Sequence, residues 1–262
     1  MRAAFFDLDK TVIAKASIAA FGGTFYRGGL VNRRIIARAL VSQIIYLHLG
    51  ASEQKLARVR ESMLTLTKGW DRDQIREIVR EALDDIVEPI IYAEALDLIE
   101  AHRSAGHRVY LVSASPEEIV EPLAEHLGVD GSIATRAVVD QDGRYAGEVE
   151  FYAYGPFKAE AMRDLADSVG LELEESWAYS DSYTDLPMLE AVGHPVVVNP
   201  DRVLAKVARD RGWEMMQFTK PVRLRDRVSV PSFSFTTVAA GVTAMASVGA
   251  LVAWRLARRP AS

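Results

Sequence analysis

The first apolar run of the chain ends in two carboxylates, and this feature constrains the fold more than any other. Residues 3–6 read AAFF, and Asp7, Asp9 and Thr11 follow at alternate positions. A short apolar run of this kind favours a buried strand, and carboxylates at the end of such a strand are costly unless something binds them. The sequence therefore predicts a buried first strand that delivers acidic groups to a binding site.

Segments with strand-like and helix-like patterns alternate after residue 88. Strands are predicted at 107–115, 175–182 and 194–200, the last being the final strand, and helices at 92–106, 116–128, 158–171 and 185–193. The Asp142-Gly143 pair predicts the turn of a hairpin within 131–150. This order is typical of an α/β fold with a doubly wound, mostly parallel sheet. Ligands of such sheets bind beyond the carboxyl ends of the strands, where Asp7 and Asp9 are expected.

Residues 14–87 have a different pattern from the segments on either side of them. They show mostly helical periodicity without a convincing strand, and Asp71 is a candidate N-cap for one of the helices. An insertion of this kind, directly after the first strand, is expected to lie over the carboxyl edge of the sheet. The sequence therefore predicts a core formed by residues 1–13 and 88–230, with residues 14–87 as a helical cap.

An uncharged segment lies near the C-terminus. Residues 236–254 read TTVAAGVTAMASVGALVAW, and arginines follow at positions 255, 258 and 259. A helix of this length could just cross the core of a bilayer, but its many small residues make insertion only marginally favourable. Two alternatives stay open for a hydrophobic helix at 235–255: a transmembrane anchor, which would tether the N-terminal part on the cytoplasmic side, and a buried or mobile C-terminal helix.

Composition excludes several classes of function. The formal net charge of −5 over 262 residues gives no electrostatic reason to expect a nucleic-acid partner. The lack of cysteine excludes disulfides, thiolate metal sites and cysteine nucleophiles, and it fits a reducing compartment. Asp7 and Asp9 interrupt the apolar run that a signal peptide needs, so a cytoplasmic location is expected. The five histidines show no metal-ligand spacing and are expected in the core or on the surface.

Four polar clusters follow apolar runs and are expected to meet at one edge of the sheet. They are Asp7 with Asp9 and Thr11, Ser113 to Ser115, Lys158, and Ser180 to Ser182 with Asp185. Acids that converge there would repel one another, and a hard divalent cation such as Mg²⁺ relieves that repulsion. Lys158, Ser113 and the loop amides could hold the oxygens of a phosphate. Asp7 could then attack phosphorus, while Asp9 protonates the leaving oxygen and later deprotonates a water.

The segments FFDLDKTV and LVSAS, Lys158, and the segment SDSYTDLPML together resemble the haloacid dehalogenase (HAD) superfamily of phosphohydrolases. The chain is most similar to the phosphoserine-phosphatase-like subfamily IB, which carries a helical cap inserted after the first motif. The resemblance covers about residues 1–217 and leaves the C-terminal segment unexplained. It implies a Rossmannoid core and Mg²⁺-dependent hydrolysis of a small phosphorylated metabolite through an aspartyl-phosphate.

The resemblance also implies a role for each motif residue. Asp7 matches the nucleophile and Asp9 the general acid/base, while Lys158 matches the lysine that steadies the nucleophile and the phosphoryl charge. The implied Mg²⁺ ligands are Asp7, Asp9 through its backbone carbonyl, Asp181 and Asp185. The implied substrate-binding residues are Thr11, Ser113, Ala114 and Arg60, the last from the segment RESML.

The chain departs from the subfamily pattern at three places. Lys10 stands where a small serine or glycine usually follows the second aspartate, and Ser180-Asp181-Ser182 replaces a glycine-rich fourth motif. Ala16 stands where a cap glutamate binds the substrate amine, which argues against phosphoserine itself as the substrate. The implied phosphatase chemistry survives these departures, whereas phosphoserine as the named substrate does not.

Three alternatives to a metabolite phosphatase remain at this stage. A membrane-tethered form could act on a lipid phosphate, and a protein that kept the fold without turnover could be a phosphate-binding regulatory module. Transfer of the phosphoryl group to an acceptor other than water would use the same residues.

Overall fold

A computed structural model describes residues 1–30 and 67–219, all within the compact unit Met1–Leu224. Three predictions therefore concern residues outside the described part: the hydrophobic helix at 235–255, the substrate contact of Arg60, and the middle of the cap segment. None of the helices in the described ranges is long and apolar enough to cross a membrane.

The described residues form a seven-stranded sheet with the strand order β4-β3-β2-β1-β5-β6-β7. The strands are β1 (Ala3–Asp7), β2 (Arg108–Pro116), β3 (Gly131–Val139), β4 (Tyr145–Phe151), β5 (Trp177–Ser180), β6 (His194–Val198) and β7 (Glu214–Met216). Every neighbouring pair is parallel except β3 and β4, which form an antiparallel hairpin. The predicted α/β fold with a mostly parallel sheet is confirmed, as is the hairpin.

Helices connect the strands and cover the sheet. The α-helices are α1 (Ser17–Arg27), α2 (Arg72–Ala82), α3 (Ala93–Ser104), α4 (Glu117–Leu127), α5 (Pro156–Val169), α6 (Leu186–Glu190) and α7 (Arg202–Arg211). The described residues also contain a π-helix at Leu83–Val87 and short 3₁₀ turns at Glu88–Ile90, Leu173–Glu175 and Tyr183–Asp185. The predicted N-cap is confirmed, since Asp71 Oδ1 accepts hydrogen bonds from the backbone N–H groups of Asp73 and Gln74, both at 3.0 Å.

Strand β1 lies in the middle of the sheet and is buried along its whole length. Its side chains alternate between two apolar clusters, with Phe6 in one and Phe5 in the other, because helices cover both faces. In the register with β2, Asp7 lies beside Val112, so the strand ends next to Ser113. The apolar run thus places Asp7 at the carboxyl edge of the sheet.

The expectation that 194–200 is the final strand is wrong. Helix α7 and strand β7 follow it, and β7 pairs with β6 from Val196–Glu214 to Val198–Met216. Asn199 stabilises this edge, since its side chain bonds the backbone N–H and carbonyl of Phe218 at 3.0 and 3.1 Å. A three-residue edge strand has no periodicity of its own, and it forms because a neighbouring strand pairs with it.

Candidate active site

A buried lysine lies between two of the predicted aspartates. Lys158 Nζ donates to Asp7 Oδ1 at 2.7 Å and to Asp185 Oδ2 at 2.8 Å, and all three side chains are buried. Lys158 lies in the first turn of α5, where Gly155, with a φ of 57°, takes the left-handed conformation that precedes the helix. The start of α5 therefore delivers a cation to the end of β1.

The fourth polar cluster is organised around the end of β5. Ser180 Oγ donates to Asp185 Oδ2 at 2.7 Å, which occupies the same oxygen that Lys158 contacts. The backbone carbonyl of Asp181 accepts from the N–H of Asp201 at 2.8 Å. On the exposed side, Lys10 Nζ lies 3.9 Å from Asp181 Oδ2.

The pKa values of Asp7, Asp181 and Lys158 are shifted because several carboxylates lie close together in the protein interior. Burial raises the pKa of Asp7 well above its usual value, Lys158 opposes the rise, and the carboxylates of Asp185 and Asp181 add to it. Burial also raises the pKa of Asp181 to about 6. Burial alone would lower the pKa of Lys158, but the carboxylates of Asp7 and Asp185 outweigh it and raise that pKa, so the lysine stays protonated.

This donor set suits a hard cation. Asp7, Asp181 and Asp185 offer carboxylate oxygens, and one buried ammonium leaves their summed charge negative. In the described ranges, Asp7, Asp181 and Asp185 do not form a group whose ligand atoms all lie within 4.8 Å of one another. Within the described ranges, the one histidine and carboxylate trio at such spacing is Asp84, Glu88 and His126, far along the chain from the predicted ligands.

Asp9 is held by the first residue of α1. Its Oδ1 accepts from the backbone N–H of Ser17 at 2.9 Å. Burial raises the pKa of Asp9 above its usual value, while the bond from Ser17 and the charges of Lys158 and Lys10 oppose the rise. A carboxyl group with a raised pKa, in the same electrostatic environment as Asp7, is suited to proton transfer.

The second cluster lies at the end of β2. Ser113 Oγ is buried and accepts from the N–H of Ser115 at 3.1 Å, which leaves its own proton free to donate. The carbonyl of Ala114 accepts from Thr135 Oγ1 at 2.7 Å. Thr11 is fully buried, and its hydroxyl has no hydrogen-bond partner among the residues that the structure describes.

The structure thus brings most of the predicted site residues to one edge of the sheet. Asp7, Lys158 and Asp185 are in direct contact, and Asp9 and Asp181 share their electrostatic environment. Ser113 and Ala114 lie near the end of the neighbouring strand β2, and Thr11 follows β1. The catalytic, ligand and substrate roles of these residues remain predictions.

Two residues that organise the site were not predicted from the sequence. Ser17 bonds Asp9 and also lies 2.7 Å, Oγ to Oγ, from Ser115. Asp201 Oδ2 accepts from the N–H of Tyr183 at 2.7 Å and so holds the loop that carries Asp181. Asp201 precedes an amphipathic run, a position typical of an N-cap, so the sequence could have predicted its capping role. No comparable pattern marks Ser17.

Sequence comparison assigns the family. The haloacid dehalogenase-like hydrolase family matches residues 4–190, a range that includes the strand end of Asp7, Ser113, Lys158 and the loop of Asp181. The chain belongs to this family. The resemblance found from the motifs is therefore confirmed for a HAD-like hydrolase, and so is the assignment as a phosphatase-type enzyme.

Several relatives of this HAD-like hydrolase carry informative names. The inhibition of morphological differentiation protein of Streptomyces azureus is 50% identical, over 99% of this chain and 95% of its own. A probable phosphatase of Mycobacterium tuberculosis is 52% identical, over 98% and 89%. A phosphoserine phosphatase of the same organism is 35% identical, over 92% and 79%. The crystal structure of a Bordetella pertussis protein of unknown function has a TM-score of 0.71 and 29% identity, over 82% of this chain and 97% of that chain.

Proposed function

We propose that this protein is a Mg²⁺-dependent phosphomonoesterase that forms a phosphoryl-enzyme on Asp7 and releases inorganic phosphate from a small phosphorylated metabolite. The observation that carries the proposal is the buried ammonium of Lys158, 2.7 Å from Asp7 and 2.8 Å from Asp185. A fixed positive charge beside the nucleophile stabilises the negative charge that gathers there during phosphoryl transfer.

The chemistry follows from two carboxyl groups with different surroundings. An oxygen of Asp7 attacks phosphorus, and the bond from phosphorus to the ester oxygen breaks while Asp9 donates its proton to that oxygen. Asp9 then removes a proton from water, whose oxygen attacks phosphorus and frees the Asp7 carboxylate. The bond from Ser17 orients Asp9 for both transfers, and its raised pKa favours the protonated form that the first one needs.

Mg²⁺ fits the residues at this edge. We assign its ligands as carboxylate oxygens of Asp7, Asp181 and Asp185 and the backbone carbonyl of Asp9. Bound Mg²⁺ would neutralise the carboxylates and polarise the phosphate oxygens, which makes attack by an anion easier. Lys158 remains the partner of Asp7 and Asp185, and its charge offsets the repulsion between their carboxylates.

The phosphate itself is assigned to the ends of β1 and β2. Ser113 has a free hydroxyl proton, and the Thr11 hydroxyl has no hydrogen-bond partner in the described ranges. We assign both, with the backbone N–H of Ala114, to phosphate binding. The names of two relatives, a probable phosphatase and a phosphoserine phosphatase, support phosphomonoester chemistry. The lipid-phosphate alternative depends on 235–255, outside the described residues, and is not proposed.

The test is hydrolysis of p-nitrophenyl phosphate by the full chain. Asp7→Asn is expected to lower the rate at least about 10³-fold, since the nucleophile is removed while the shape of the side chain is kept. EDTA is expected to silence the wild type, and added Mg²⁺ to restore it. Substantial activity of Asp7→Asn, or of the EDTA-treated protein, would refute the proposal.

A further inference from the structure

Ser115, the last serine of the second polar cluster, is buried and has no catalytic or binding assignment. Only 3% of its surface is exposed. The register of β2 with β3 shifts between Val112 and Pro116, so residues 113–115 form an irregularity in the strand. Irregularities of this kind are frequent beside active sites, where they redirect side chains. Ser115 therefore lies in the part of β2 that departs from regular pairing with β3.

The usual role of a serine just before a helix is to cap it, and Ser115 does not have that role. The N-cap residue of α4 is Pro116, whose side chain has no hydrogen-bonding group. The hydroxyl oxygen of Ser115 lies instead 2.7 Å from that of Ser17, the first residue of α1. Both serines are buried. Because a buried hydroxyl needs a partner, this contact fixes the two side chains relative to each other.

Ser17 connects Ser115 to Asp9. Its backbone N–H donates to Asp9 Oδ1 at 2.9 Å. The hydroxyl of Ser17 is a second hydrogen-bond partner that lowers the pKa of Asp9, so this hydroxyl donates its proton to the carboxylate. A serine hydroxyl has a single proton, so Ser115 is the donor in the serine pair and Ser17 the acceptor. Ser115 thus holds the Ser17 hydroxyl in the orientation in which it contacts Asp9.

Ser115 also contacts the phosphate side of the site. Its backbone N–H donates to Ser113 Oγ at 3.1 Å, which leaves the Ser113 proton available to a phosphate oxygen. The next residue along the strand is anchored to β3, since the carbonyl of Ala114 accepts from Thr135 Oγ1 at 2.7 Å. Ser115 therefore joins a fixed strand end, which carries the phosphate-binding hydroxyl, to the residue that holds Asp9.

We propose that Ser115 is a positioning residue for proton transfer to the leaving group: through Ser17 it holds the carboxyl group of Asp9 at the ester oxygen. This inference rests on the proposed function, in which Asp9 is the general acid. Proton donation needs the two heavy atoms within hydrogen-bond reach, about 2.6–3.2 Å. Without the Ser115 hydroxyl, the Ser17 hydroxyl is free to rotate, and Asp9 keeps only its bond to the Ser17 backbone.

The chemistry of the leaving group separates positioning from a structural role. When an oxygen of Asp7 bonds to phosphorus, the electron pair of the breaking bond passes to the ester oxygen. An alkoxide needs the Asp9 proton there, whereas p-nitrophenolate is stable enough to leave without it. Loss of positioning is therefore expected to slow alkyl esters and to spare p-nitrophenyl phosphate. A structural role of Ser115 would change the amount of active protein and so slow both esters by one factor.

The experiment measures kcat/KM of the full chain in Mg²⁺ for p-nitrophenyl phosphate and p-nitrobenzyl phosphate, which carries the same ring on an alkyl ester. The ratio of the two values does not depend on the fraction of folded protein. Ser115→Ala is expected to lower kcat/KM about tenfold for the benzyl ester and less than about threefold for the phenyl ester. Ser115→Thr, which keeps the hydroxyl, is expected to keep the wild-type ratio.

Two further variants complete the test. Ser17→Ala removes the other side of the hydroxyl pair and is expected to change the ratio in the same direction, with little further change when Ser115→Ala is added. Ser176→Ala is the matched control, because Ser176 is equally buried and its hydroxyl bonds the N–H of Ala3 and the carbonyl of Glu172 at 3.0 and 2.7 Å. It is expected to lower stability and to leave the ratio unchanged.

An unchanged ratio in Ser115→Ala and Ser17→Ala overturns the role of Ser115, as does an equal change in Ser176→Ala. Either result leaves the proposed function standing, provided that hydrolysis depends on Asp7 and Mg²⁺. A wild type that hydrolyses only the phenyl ester also keeps the function and overturns the inference, since Asp9 would then give the alkyl ester no help. Hydrolysis of neither ester by the wild type overturns the function and the inference together.

Discussion

At the scale of single residues, the site depends on one buried cation among carboxylates. Lys158 is 2% exposed and contacts Asp7 and Asp185. A buried ion pair contributes little net stability, because each charge loses its hydration, but removing one partner leaves the other charge uncompensated. The lysine therefore matters both to the fold and to the chemistry.

Lys158→Met is expected to lower the free energy of unfolding at pH 7 by about 3 kcal/mol and to lower kcat at least about 100-fold. Urea unfolding and p-nitrophenyl phosphate hydrolysis measure the two effects. Part of the lost stability is expected to return at lower pH, where protonation of Asp7, whose pKa is raised, removes its repulsion with Asp185. Lys206→Met, an exposed lysine of α7, is the matched control and is expected to change neither quantity.

At the scale of elements, single side chains fix helices to the loops of the site. Asp201 is the N-cap of α7, since its Oδ1 accepts from the N–H groups of Val203 and Leu204, both at 2.8 Å. Its other oxygen accepts from the N–H of Tyr183, and its own N–H bonds the carbonyl of Asp181. One residue thus joins the end of β5 to a helix on the other side of β6.

Asp201→Ala is expected to lower the free energy of unfolding by about 1–2 kcal/mol, the usual cost of a lost N-cap. It is also expected to weaken Mg²⁺ binding, measured by calorimetry, because the loop that carries Asp181 loses the bond from the Tyr183 N–H to the Asp201 side chain. Asp71→Ala removes the N-cap of α2, which makes the same two bonds away from that loop. It should lower stability equally and leave Mg²⁺ affinity unchanged; an equal loss of affinity in both variants would contradict the assignment.

A histidine network joins α3, the residue just before β2, and β5. His102 is buried, with Nδ1 at 2.9 Å from Nδ1 of His107 and Nε2 at 2.7 Å from the Tyr179 hydroxyl. Burial, helped by the nearby His107, lowers the pKa of His102 to about 4 from its ordinary 6.5. Between pH 6.5 and about 4, His102 therefore binds a proton more readily in the unfolded chain than in the folded state. The free energy of unfolding consequently falls as the pH drops through this range.

His102→Gln is expected to remove about 2 kcal/mol of the acid-induced loss of stability between neutral pH and pH 4.5. Urea unfolding of wild type and variant across this range gives the two slopes. His194→Gln, at an exposed histidine that stacks on Trp177, serves as the control for a general effect of removing a histidine. Parallel curves for wild type and His102→Gln would show that this ring does not titrate in that range.

At the scale of the whole molecule, a ligand that binds only the folded state stabilises all of it. Mg²⁺ at 100 times its dissociation constant is expected to add about 2.7 kcal/mol, which raises Tm by about 5 °C in a chain of this size. Differential scanning fluorimetry measures the shift. Asp181→Asn should reduce it strongly, whereas Asp164→Asn, at an exposed aspartate of α5, should retain it. A full shift in Asp181→Asn would remove Asp181 from the ligand set.

Features that depend on local sequence patterns, namely the strands, the helices and their order, could be predicted from the sequence. The apolar run before Asp7 and the alternation of strands and helices were sufficient for the sheet, and its geometry brings Asp7, Lys158 and Asp185 together. The bridging of Asp9 and Ser115 by Ser17 could not be predicted, because it exists only once segments about 100 residues apart in sequence meet.

The position of β1 has a consequence for how activity is lost on heating. Hydrogen bonds of a strand with partners on both sides open last, whereas edges such as β7 and the β3–β4 hairpin open at a lower free energy. The backbone hydrogen bonds of β1, which carries Asp7, are therefore expected to stay closed at temperatures where the edges of the sheet have opened. Mild thermal inactivation would then begin in the loops and edges, with hydrogen exchange at residues 3–7 still slow when hydrolysis has already stopped.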